Sequence, residues 1–186
     1  MWLRSNGGWV WLRSENDGWV WLRSKDDGWV WLRSNDGWAW LRSKDDGWAW
    51  LRSKDDGWAW LRSKDDGWVW LRSEDGRLWL RSKDDGWKWL WPNGCVWLKS
   101  DDGWAWLKSD DGRVWLRSEY NGWAWLRSRD DGWVWLRSEN DGWVWLKSND
   151  GWVWLRSDDG KVWLLGSWGA WAWLRSKDDG WVWLEV

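Results

Sequence analysis

The stretch Trp48-Ala49-Trp50-Leu51-Arg52-Ser53-Lys54-Asp55-Asp56-Gly57 recurs, with small edits, from Trp2 to Val182. A chain copied from one ten-residue unit must fold so that every unit does nearly the same job, which is the signature of repeat architectures. Most units have ten residues; Trp31–Ala39 and Trp70–Leu78 have nine, and Trp89–Val96 has eight. The missing residue always comes out of the acidic turn, and Trp-Leu-Arg/Lys-Ser is almost untouched. No linker or shift of composition interrupts the series, so residues 1–186 read as a single domain.

Periodicity favours a strand. From Trp48 to Lys54, Trp, Trp, Arg and Lys fall on one face and Ala, Leu and Ser on the other. The element between glycine-containing turns is too short for a helix, and Trp and Val prefer sheet. Asp-Asp-Gly suits a three-residue hairpin loop with a glycine bulge, and Asp-Gly suits a type I′ turn. With those loops Arg52 faces Trp60, Leu51 faces Leu61 and Trp50 faces Arg62, and the nine-residue unit keeps the same pairing of Arg72 with Trp79. Three bases replace the first Trp of a strand, Arg77, Arg113 and Lys161, and the predicted hairpin partner of each is an acid: Glu74, Asp110 and Asp158.

The expected fold is therefore all-β: an antiparallel hairpin meander of about 19 short strands, extended or superhelically coiled. Nine-residue units starting at Trp31, Trp70, Trp106 and Trp145 hint at a four-strand period, which makes a β-propeller of about five four-stranded blades the alternative. A solenoid with two strands per turn ranks behind both, because the compensating ion pairs argue for hairpins. One face would be a checkerboard of indole and guanidinium, the other a row of Leu with Val, Ala and Ser that must be buried.

Two places break the repeat. Trp89, Trp91, Pro92, Asn93, Gly94 and Cys95 replace the usual turn; a type I turn there pairs Trp91 with Cys95 and Trp89 with Trp97, a shift of stagger. The run Leu164–Trp171, which includes Trp168 and Trp171, lacks both the Arg and the acidic turn, and predicts a kink with a cap-like hairpin. Glu185 in the last Arg slot reads as protection of an edge strand.

Composition bounds the chemistry. There are 37 Trp residues but no His and no Phe, and 28 basic residues nearly cancel 30 acidic ones. Without His nothing obvious activates the Ser of each unit, and equivalent Asp-Asp turns do not supply carboxylates in contrasting environments, so the chain reads as non-catalytic. Calcium at turns such as Glu139-Asn140-Asp141-Gly142 and Lys44-Asp45-Asp46-Gly47 is disfavoured against solvated turns, and no cofactor is implied. The near-neutral charge argues against nucleic acid, no apolar run approaches a membrane span, and the absence of a signal-peptide region at the start predicts a soluble intracellular chain. Cys95 alone supports no disulfide framework.

At Trp154-Leu155-Arg156-Ser157-Asp158-Asp159-Gly160 the unit resembles, half a repeat at a time, the aromatic hairpin repeats of bacterial choline- and glucan-binding proteins. Those repeats are about twice as long and richer in Tyr, and the resemblance implies hairpins and a carbohydrate or choline ligand. Two functions are expected. The first is a Trp-rich structural scaffold that self-associates through edge strands. The second is a multivalent glycan binder using Trp48, Trp50, Arg52, Trp58, Trp60 and Arg62.

Overall fold

A computed structural model describes residues 1–14, 18–25, 28–35, 37–44, 47–54, 57–64, 67–83, 86–110, 112–119, 122–129, 132–139, 141–177 and 181–185, with the side chains of 167–170 outside the description. Asp55 and Asp56 of the unit's turn, Asp45 and Asp46, and Asn140 lie outside the described residues. Among the described residues the chain forms 18 strands, from Trp2–Ser5 to Trp181–Glu185, and no helix.

The strands do not form a hairpin meander or a propeller. Every pairing is parallel, and each short strand pairs with the strand two units away: Trp48–Ser53 lies between Gly28–Ser34 and Trp68–Ser73, never against Trp58–Ser63. Register partners are 17 to 20 residues apart, as in Trp89↔Trp106 and Trp50↔Trp70. The fold is a parallel β-solenoid with two strands per turn. We call face A the ladder that contains Trp58–Ser63 and face B the ladder that contains Trp48–Ser53.

The reason lies in where the Leu row goes. A meander leaves that row open until a second layer arrives. Alternating successive strands between two facing ladders lets one chain close the core on itself. Leu41, Leu61 and Leu80 from face A and Leu32, Leu51 and Leu71 from face B belong to one buried cluster, each no more than 2% exposed. Full burial of one such side chain contributes roughly 1.5–3 kcal/mol, so a sheet with this row open could not compete.

The Ser of each unit sits at the corner with its side chain inward, buried in nearly every turn. It ties the corner down locally. Ser73 Oγ accepts from the Gly76 N–H at 3.0 Å, Ser157 Oγ accepts from the Gly160 N–H at 3.0 Å, and Ser148 Oγ donates to the Asp150 carbonyl at 3.2 Å. Corner glycines then stack between turns. Gly151 has φ +108°, and a Cβ there would run into the Gly132 carbonyl, so the column admits no side chain.

Both interruptions of the repeat keep to the ladders. Trp89 stacks on Trp70 and Trp106, Pro92 falls beside Ser73 and Cys95 beside Arg77, so the predicted turn pairing and shift of stagger are absent. The Asn93 N–H instead donates to the Ser73 carbonyl at 3.1 Å. The run near the end is not a hairpin. Lys161–Ser176 is one strand that passes from face B through the corner to face A beside Trp143–Ser157, with an irregularity between Ser148 and Asp150.

Candidate functional site

The parallel register replaces the expected checkerboard by columns of like residues. Trp50 lies between Trp31 and Trp70 with ring centroids 4.7 Å away on each side and planes within 6° of parallel. Trp48 lies in the same way between Trp29 and Trp68, and Trp60 between Trp40 and Trp79. Trp58 stacks on Trp38 below but meets Arg77 above, whose guanidinium sits 4.8 Å from the ring. Arg52 has Arg33 and Arg72 as register neighbours, and Arg62 has Arg42 and Arg81. The six expected surface residues therefore divide between faces: Trp48, Trp50 and Arg52 on B, Trp58, Trp60 and Arg62 on A.

Stacking follows from strand spacing. Parallel neighbours lie about 4.8 Å apart, so in-register indoles are held near the offset-stacked optimum, about 0.5–1.5 kcal/mol per pair beyond burial. The consequence for chemistry is that the ring faces are covered by other rings, and it is mainly ring edges that look outward. A sugar ring seeking the face of Trp50 would have to displace Trp31 or Trp70.

The three bases in Trp slots stay in the columns and do not close hairpins. Arg77 caps Trp58, and Lys161 Nζ lies 4.6 Å from the Trp143 ring. Their expected acid partners go elsewhere: Glu74 pairs with Arg52 at 3.2 Å and Asp158 with Arg156 at 3.4 Å. Trp91, in an Arg slot, receives Lys108 from the next turn at 4.7 Å. Trp171 stacks on Trp152, and the Trp168 side chain lies outside the described residues.

Stacked cations need relief, and on the C-terminal half of face A an acid column supplies it. Glu119 accepts from Lys99 at 2.7 Å and lies 3.1 Å from Arg117. Glu139 bridges Arg117 at 3.3 Å and Arg137 at 2.7 Å. The Lys99 hydrogen bond holds the Glu119 carboxyl below its ordinary range. Burial, and then the Glu119 charge, push the neighbouring Asp101 carboxyl above its own.

One residue escaped the sequence reading. Lys88 occupies an inward slot that elsewhere carries Val, Ala or Leu and is only 1% exposed. Its ammonium donates to Ser100 Oγ at 2.5 Å and to the Asp102 carbonyl at 2.7 Å, and Ser100 Oγ also donates to that carbonyl at 2.9 Å. The signal was available, since strict alternation places Lys88 between two outward Trp residues and hence inside. The pair resembles a Ser–Lys arrangement in composition only, because both side chains are buried and bound to the corner backbone. Among the described residues no group of His, Cys, Asp or Glu is placed to hold a metal ion.

Between the two indole columns of face B runs an apolar groove. Its first part, walled by Trp residues from Trp9 and Trp11 to Trp68 and Trp70, holds about 510 Å³, and its second, from Trp87 and Trp89 to Trp163, about 440 Å³. On face A the corresponding column is broken by Arg77, Cys95 and Arg113, and a groove of about 360 Å³ between two indole columns spans Trp133 to Trp173. No family model matches the chain, and neither does any curated protein or solved structure.

Proposed function

We propose that the chain is a non-catalytic structural scaffold that lengthens by adding copies to its end rungs. The observation that carries this reading is the repetition of one cross-section from rung to rung, in which Trp, Leu and Arg each continue their own column in register. Leu3, Val10 and Leu12 at one end and Leu174 and Val182 at the other are only partly buried, and Leu184 is 47% exposed, whereas equivalent interior Leu residues are near zero. The first and last rungs of these residues carry exposed Trp2, Trp9, Trp181 and Trp183. A second copy added in register continues each Leu and Trp column, and places Glu185 against the column that begins with Arg13. Such head-to-tail contact does not close on itself and gives linear assemblies.

The glycan-binding reading ranks second, because stacked indoles offer few free faces. Sedimentation across a concentration series tests the scaffold: mass should grow with concentration, and a strictly monomeric particle throughout rules it out. Binding to a glycan array that disappears on Trp48→Ala/Trp50→Ala would reverse the ranking.

A further inference from the structure

We infer that the groove of face B is a binding site for an elongated, planar, conjugated anion. Shape supplies the first argument. The groove is bounded by two indole columns set two residues apart on every strand, about 6.6 Å, and it repeats at every rung, about 4.8 Å. A volume of 510 Å³ spread over four such steps leaves a channel roughly 25 Å² in section, enough for one aromatic sheet about 3.5 Å thick standing on edge. A compact ligand would gain from only one or two rungs, whereas a rod gains from all of them.

The second argument is electronic. The rims of stacked indoles carry the positive edge of the ring quadrupole, and their partner of choice is the π-face of another ring in edge-to-face contact. A flat conjugated rod between the columns meets such edges on both sides. Saturated chains fill the same channel without this gain.

Charge supplies the third argument and fixes the sign. Arg33 and Arg72 stand two residues beyond Trp31 and Trp70 on the same face, and Lys161 takes a Trp slot at the far end of the first column. The slot after the corner Ser is mixed on face B, where Glu74, paired with Arg52, and Asp110 stand among Asn35, Lys54, Asn93, Arg129 and Asn149. The sign is set by the Arg and Lys column itself, which continues through Lys108, Arg127 and Lys147. On face A the slot after the Ser is basic at Lys25, Lys44, Lys64 and Lys83 and acidic at Asp101, Glu119, Glu139 and Asp158. An anionic end group or side group is therefore held by the Arg and Lys column that runs beside the groove of face B.

The test uses Congo red, a linear sulfonated dye, and thioflavin T, a cationic rod, titrated into the smallest species isolated by size. Congo red is expected to bind the unaltered chain more tightly than thioflavin T. Trp50→Ala/Trp70→Ala should weaken Congo red at least ten-fold, while Trp97→Ala/Trp115→Ala, beside the broken column of face A, should change it less than two-fold. Should the face B pair fail to fold, Trp125→Leu alone should still weaken binding about three-fold. Lys161→Ala should weaken Congo red about three-fold and leave thioflavin T unchanged. Equal losses from the two Trp pairs, or no loss from either, would overturn the site; tighter binding of thioflavin T would overturn the anionic ligand.

Discussion

Faces A and B are built from the same unit, share one core and differ in what they do with their surfaces. Face B keeps an unbroken first column from Trp9 to Trp143, each indole covered by the next. Face A gives up three successive places in that column to Arg77, Cys95 and Arg113, and in its C-terminal half threads acids between its cations. The contrast separates two jobs that the repeat performs at once. The inward Leu, Val, Ala and Ser residues make the solenoid, and among the described strands Lys88, Pro92 and Gly166 stand in their place. The outward positions tune the surface, and they accept Trp, Arg, Lys, Cys or Leu so long as the column neighbour is compatible.

The largest effect should show no difference between faces. Leu71→Ala on face B and Leu80→Ala on face A should each cost about 3 kcal/mol, since both side chains are within 2% of full burial in one cluster. Unequal costs in denaturant unfolding would mean that the faces do not share a core. Reciprocal exchange in the first column comes next. Trp123→Arg breaks two stacks on face B and should cost about 1 kcal/mol, and Arg113→Trp adds a stack on Trp133 of face A and should gain about 0.5–1 kcal/mol. Opposite signs in thermal unfolding sharpen the comparison; losses from both would break it.

Arg72→Glu is a smaller change with a diagnostic sign. In a hairpin meander it would remove a partner of Trp79 and destabilise. In the solenoid it places an acid beside Arg52 and should be neutral or stabilising by a few tenths of a kcal/mol. The smallest effect is confined to the acid column of face A. Glu119, held below its ordinary range, contributes stability that is present above its unfolded pKa and lost as pH falls through the lower folded value. Asp101, held above its ordinary range, contributes stability that is present below its unfolded pKa and lost as pH rises through the higher folded value. Glu119→Gln should therefore flatten the loss of stability below about pH 4.5, and Asp101→Asn should raise stability slightly at neutral pH, both read from unfolding midpoints across pH. Identical pH profiles for all three proteins would remove the acid column from the account.

Strict alternation made the strands, the inward Leu row and the outward Trp and Arg columns legible, and it marked Lys88 as an inward lysine to anyone who applied it at that position. It did not reveal that Lys88 reaches Ser100 and Asp102, because that contact depends on which turn stacks above. The ion pairs expected from Glu74 and Asp158 show the same limit. Each acid does find a base, but Glu74 finds one 22 residues back, on the preceding turn.

By itself the sequence determined an all-β tandem repeat with one apolar and one aromatic-cationic face, since side-chain alternation is a local property of a strand. Only the tertiary structure decided which strands are neighbours. When every unit is nearly identical, pairing with the next unit and pairing with the one after it satisfy the same alternation, and an acidic glycine turn serves a hairpin or a corner equally well. The choice falls to non-local terms: closing the Leu rows into one core, and stacking Trp on Trp at the strand spacing.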